Sequence, residues 1–149
     1  MINIFLQDYP TRLREWHNLK ENLKESDTQT VCIEVDGFWQ RAPITPHYLH
    51  PADVVDWPNP WELINDNNYC LYGRALGMAY TLMLLGIKDI DIVSAIDDNS
   101  EDVVLVLIDS AKYVMNYYPN SVVNMKLSDF KNVKKLDISS LKKKIGDND

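Results

Sequence analysis

The sequence is poor in the residues on which small enzymes and metal proteins most often rely: 149 residues hold two cysteines, three histidines and five glycines. Cys32 and Cys70 are too few for a disulfide framework, and a chain of this length buries roughly 68–70% of its unfolded surface without one. It has no Cys-x-x-Cys pair, no glycine-rich phosphate loop and no nucleophile elbow, so the enzyme classes those motifs mark have no support. His47 and His50 could recruit only Cys32, Asp53 or Cys70 from far away toward a four-ligand zinc site. The acidic group Asp97, Asp98, Glu101 and Asp102 lacks the glycine and the bidentate glutamate of an EF-hand. No metal and no cofactor is therefore expected. The longest apolar stretch, 69–85, is interrupted by Arg74 and reads as a buried helix, not a membrane span. Met1 is followed by neither a basic start nor a long apolar segment, and with two free thiols this leads us to expect a reducing, cytoplasmic setting.

What is present fits one globular domain: 46% of residues are hydrophobic and 25% charged. Charge is unevenly distributed along the chain. Residues 1–125 carry 18 acidic and 8 basic side chains, whereas 126–149 carry 7 lysines and 4 aspartates. An acidic body argues against a nucleic-acid groove, which needs clustered Lys and Arg. We accordingly expect a single α+β domain over 1–130 and a basic, flexible tail over 131–149.

The pattern predicts an amphipathic helix after Pro10, with Leu13, Trp16, Leu19/Lys20 and Leu23 on one stripe, and then a short strand Thr30–Val35 that holds Cys32. Residues 38–61 contain five of the seven prolines and Trp39, Trp57 and Trp61, which predicts an extended strap laid across the core. Those three tryptophans are also the candidate aromatic wall of a binding groove. After one helical turn at Trp61–Ile64, a helix from Tyr69 to Leu85 is apolar nearly all round, so it should be central and buried, with Gly86 as its stop. Cys70, Gly73, Gly77 and Thr81 line one side of it with small groups. An antiparallel meander should follow over Ile90–Ile96, Val103–Ile108 and Lys112–Tyr118, with a fourth strand near Ser121–Met125. The unbroken apolar run 103–108 predicts a central strand covered on both faces.

A cysteine in the first turn of a buried helix meets the positive end of the helix dipole, which favours thiolate, but nucleophilic use needs a base and a group to orient it. The order of elements from Asn65 to Asp129 resembles the bacterial transglutaminase-like cysteine peptidase family, within the wider papain and transglutaminase-like group. In that family a cysteine opens the central helix, a histidine begins a later strand and an acidic residue lies in the next. The matching positions are Cys70 in Asn68-Tyr69-Cys70-Leu71-Tyr72, Asp102 in Asp102-Val103-Val104-Leu105, and Asn116 in Val114-Met115-Asn116-Tyr117. The resemblance implies a papain/transglutaminase-like core, a buried helix on a meander of about four strands. It also implies that these three positions are the site. The departure is chemical: Asp102 stands where the family has its base, and a carboxylate beside a sulfur opposes thiolate formation.

Three functions follow as expectations. The first is a non-catalytic module that binds a protein partner, which the small size and the Asn, Asp, Ile and Lys usage would suit as a phage accessory or virion-associated protein. The second is an active thiol peptidase or amide-transferring enzyme in which His47 or His50 serves Cys70 as base. The third is an acidic inhibitor or decoy that occupies a basic surface.

Overall fold

A computed structural model describes residues 3–46, 48–117, 122 and 125–146. The chain is an α+β protein in which helices pack on one face of an antiparallel sheet. Helix α1 (Tyr9–Leu23) starts where the Asp8 carboxylate accepts the Thr11 N–H, with Pro10 in its first turn. Helix α2 (Thr28–Gln40) starts the same way, the Asp27 carboxylate accepting the Thr30 N–H at 2.8 Å.

Helix α2 overturns the expected strand Thr30–Val35. The β-branched residues Thr30, Val31, Ile33 and Val35 suggest extended chain, but Asp27 acts as a helix cap and does more than end α1. Val31/Cys32, Val35/Asp36 and Phe38/Trp39 then recur at helical spacing and are all buried. Burial of that stripe outweighs the few tenths of a kcal/mol by which each β-branched residue disfavours a helix. Cys32 is thus a buried helical residue, and Trp39 belongs to α2 instead of a strap.

The rest of the proline-rich segment is only partly extended. Ile44 forms a parallel bridge with Tyr69, a 3₁₀ turn runs over Pro51–Asp56, and helix α3 spans Pro60–Asp66. Helix α3 has a reciprocal cap, Asn59 Oδ1 accepting the Glu62 N–H while Glu62 Oε1 accepts the Asn59 N–H. At its other end the buried Arg12 guanidinium donates to the carbonyls of Ile64 and Asn65, a cation on the negative end of the helix.

Helix α4 (Leu71–Leu84) is the predicted central helix. It ends at Gly86, whose φ is +88°; Gly86 N–H bonds to Met83 O and Ile87 N–H to Leu82 O, which closes the last turn. Its small-residue side admits Trp39: a Cβ on Gly77 would lie 2.6 Å from that indole. One turn further on, Thr81 Oγ1 accepts the indole N–H of Trp16 at 2.9 Å and of Trp39 at 3.0 Å.

The strands are β1 (Ile90–Ile96), β2 (Asp102–Ile108), β3 (Tyr113–Met115) and β4 (Lys131–Lys135), in spatial order β3-β2-β1-β4, with every pairing antiparallel. Strand β2 is internal and buried from Val104 to Ile108, as its apolar run requires. Val104, Val106 and Ile108 face α4, while Leu105 and Leu107 join Val93, Ala95, Val114 and Phe130 in a second cluster on the far face. Strand β3 is shorter than the expected Lys112–Tyr118. Most of the expected strand Ser121–Met125 lies outside the described residues, and Val122 is a buried turn residue.

The fourth strand of the described sheet comes instead from the basic segment after 130. Strand β4 pairs with β1 through Val93↔Lys135, Ser94↔Lys134 and Ile96↔Lys131, and helix α5 (Leu141–Gly146) buries Leu141 completely. A tail would have no such partners; here the lysines occupy an exposed sheet edge, where charge discourages further strand pairing. No helix among the described residues is long and apolar enough to cross a membrane.

Two glycines should respond in opposite directions to alanine. Gly77→Ala forces a methyl into the Trp39 ring and should lower stability by about 1–3 kcal/mol. Gly37→Ala, in α2 with nothing within 4 Å of the new Cβ, should raise it by about 0.5–1 kcal/mol. Urea denaturation of both variants at one pH checks the signs.

Candidate functional site

Cys70 is placed by the chain on both sides of it. Tyr69 is held to the passing strap, its N–H bonded to Thr45 Oγ1 and its carbonyl accepting the Thr45 N–H at 2.8 Å. Cys70 then takes the N-cap position of α4 in extended backbone, with no side-chain capping bond. Its sulfur accepts the Leu49 N–H at 3.4 Å and is nearly buried. The strap therefore closes over the thiol with a backbone donor.

Beside the thiol lies a cavity of about 630 Å³ whose walls include Cys70, Leu71, Tyr72, Tyr48, Asp102 and Lys134. Cys70 and Asp102 thus line one cavity. Asp102 is the first residue of β2, opposite Ile96, and is exposed. Asn116 borders a smaller cavity of about 290 Å³ that shares Leu71 and Asp102–Val104 with the first. Its carboxamide nitrogen is already committed: it donates to Val104 O at 2.8 Å and Leu71 O at 3.3 Å, tying the start of α4 to β2. Its left-handed backbone, φ 71°, suits asparagine better than most residues. Asn116 therefore works here as a staple between elements.

That staple has a buried anchor. The Asn116 N–H donates at 2.8 Å to Oδ1 of Asp36, a fully buried carboxyl of α2 whose Oδ2 has no hydrogen-bond partner among the described residues. Burial pushes the Asp36 carboxyl above its ordinary value, against the opposing pull of the Asn116 and Gln40 hydrogen bonds and the Arg74 charge.

The two described imidazoles, of His17 and His50, do not converge on the sulfur. His50 is exposed, its Nδ1 accepts the Ala52 N–H at 3.1 Å as the cap of the 3₁₀ turn, and its ring stands edge-on to Tyr48; it does not line the Cys70 cavity. His17 shares a groove with Leu84 and Leu85, at the opposite end of α4, about 20 Å from Cys70 by helix rise. His47 lies outside the described residues. Among the described residues no group of three or more His, Cys, Asp or Glu could hold a metal ion.

The three candidate tryptophans are packed away from the cavity. Trp39 is buried among Phe5, Phe38 and Tyr69. Trp57 packs on Tyr72 and donates its indole N–H to His50 O, and Trp61 packs on Trp16. The aromatic lining comes instead from Tyr48 and Tyr72, whose rings meet edge to face at 6.1 Å. Sequence reasoning missed both, although Tyr72 two residues after Cys70 and Tyr48 between the two strap histidines were available as signals. The Tyr72 hydroxyl is raised in pKa, first by burial and then by the neighbouring Tyr48, Cys70 and Asp102, while a hydrogen bond with the Ser94 side chain opposes the rise.

No family model matches the chain, and no curated protein or solved structure matches it significantly.

The buried carboxyl gives a pH signature. Because burial raises the Asp36 pKa, the folded protein holds that proton more tightly than the unfolded chain does. Its contribution to stability is fully present below the ordinary value of 3.8 and is lost as pH rises through the folded pKa. Asp36→Asn keeps an acceptor for Asn116 and cannot ionise. Its stability relative to wild type should therefore increase from pH 4 to pH 8, by at most about 1.4 kcal/mol per pH unit. Denaturant midpoints across that range test the trend, and a difference independent of pH would contradict it.

Proposed function

We propose that this chain is a non-catalytic protein-binding module on a degenerate transglutaminase-like fold, and that its partner docks at the cavity beside Cys70. The observation that carries the reading is the make-up of that cavity. It offers a thiol and a carboxylate without an imidazole among the described residues, and its rim exposes Ile44 (51%), Tyr48 (60%) and Leu71 (39%). Exposed large hydrophobics gathered around a concave site are a feature of recognition surfaces. Support for the fold reading comes from the convergence of Cys70, Asp102 and Asn116 at one end of α4, in the order that the resemblance requires.

The chemistry points the same way. A cysteine nucleophile needs a base within hydrogen-bond reach, held by a third group. Here the sulfur receives the Leu49 N–H, the Asn116 carboxamide is bonded to two backbone carbonyls, and Asp102 is the residue in the place of the base. Such a site can hold a partner segment without cleaving it.

Alkylation of the full chain by iodoacetamide, mapped by mass spectrometry from pH 6 to 9, tests this reading. Cys70 should react slowly at neutral pH and to the same extent in His50→Ala and His47→Ala. Cys32, pushed up to about 12 by burial and by Asp36, should remain unmodified in the folded protein. Fast alkylation of Cys70 at pH 7 that either His→Ala change suppresses, or an acyl adduct on its sulfur after exposure to p-nitrophenyl acetate, would make the protein a thiol enzyme instead.

A further inference from the structure

The cavity beside Cys70 is electrically two-ended. Sheet register puts Asp102 of β2 opposite Ile96 of β1, and Ser94 of β1 opposite Lys134 of β4. Directly paired antiparallel residues project to the same face, so Asp102 and Lys134 stand on one face with β1 between them, two strand spacings across and two residues along, roughly 12 Å apart. Both line the cavity, and neither forms an ion pair within 4 Å among the described residues. Lys131, paired with Ile96 at the sheet edge, is not part of the lining. Between the two charges the wall is Ser94, Ala95 and Ile96, and Tyr48 and Tyr72 stand on the Cys70 side.

We infer that the cavity reads a dipolar peptide segment: an Arg or Lys side chain of the partner pairs with Asp102 beside the two tyrosine rings, and an Asp or Glu of the same segment pairs with Lys134. This rests on the docking reading above and specifies its ligand. A cation near a carboxylate and aromatic faces gains from both, the ring contribution growing as water is excluded. The net charge of −7 steers a basic-led segment toward the protein, while Lys134 penalises a second cation at the far wall. A span of roughly 12 Å corresponds to between three and four residues of extended chain, so the two charges of the segment should be three or four positions apart.

The test is a random octapeptide phage library panned against the full-length chain, followed by fluorescence anisotropy with synthetic, fluorescein-labelled versions of the recovered peptides. The expected result is enrichment of peptides with one basic and one acidic residue three or four positions apart, in either order. Replacing the Arg by citrulline, or the protein's Asp102 by Asn, should weaken binding at least tenfold. Lys134→Gln should do the same for the acidic residue, and 0.5 M NaCl should weaken wild-type binding. Asp102 and Lys134 are exposed, so neither change threatens the fold; circular dichroism verifies this. Peptides that bind, lose affinity in Ile44→Ser and are indifferent to Asp102→Asn and Lys134→Gln would overturn the dipolar reading and leave the docking reading standing. Failure to recover any peptide sensitive to Ile44→Ser would overturn both.

Discussion

One hydroxyl joins the three long helices. Thr81 Oγ1 accepts the indole N–H groups of Trp16 from α1 and Trp39 from α2, and its own hydrogen goes to Gly77 O one turn earlier in α4. Two lone pairs and one proton are all that a threonine hydroxyl has, so this buried atom is fully used. The geometry works only because Gly77 has no side chain where the Trp39 ring lies. Loss of the hydroxyl would leave two buried indole donors without an acceptor, each costing about 1–3 kcal/mol. The arrangement fixes α1 and α2 against α4, and α4 against β1 and β2 then fixes where its first residue, and hence Cys70, meets the sheet.

From that placement the character of the site follows. Asn116 spends its amide hydrogens on Leu71 O and Val104 O, and its own backbone N–H on the buried Asp36. These contacts hold β3 to α2, β2 and α4 at the floor of the smaller cavity. A residue so bound ties these elements together, and the exposed Asp102 beside it lines the same cavity as the thiol. Rigid walls and a fixed charge suit recognition, because the site loses little conformational freedom when it is filled.

The sheet and the central helix were legible in the sequence because several local signals agree there. The apolar circumference of 71–84, the stop at Gly86 and the β-branched run of 90–96 before the turn Asp97–Glu101 all indicate the same elements. Helix α2 was not legible, because Thr30, Val31, Ile33 and Val35 carry strand preference and only tertiary burial of the Val31–Val35–Trp39 side reverses it. That Cys70 and Asp102 would line one cavity was an expectation of the resemblance, not of any local pattern. The tyrosines could not be anticipated: Tyr48 reaches the cavity through a strap whose path depends on the Ile44–Tyr69 bridge and the Thr45 hydrogen bonds, which are contacts between residues 24 and 25 positions apart that leave no periodic trace.

The charge asymmetry of the chain shows how a one-dimensional feature changes meaning on folding. Along the sequence it separates an acidic body from a basic end. In space, β4 lies against β1, so the lysines of that end become one edge of the sheet whose next-but-one strand begins with Asp102. Lys135 finds Asp91 at 3.6 Å on one face, a weak and largely exposed pair. Lys134 projects to the other face, where no carboxylate among the described residues lies within pairing distance, and it becomes a wall of the cavity. The same strand thus protects an open sheet edge from unwanted pairing and supplies the positive wall of a cleft whose other wall is negative. A flexible tail could do neither, since both depend on the register that Ser94 and Ile96 impose on Lys134 and Lys131.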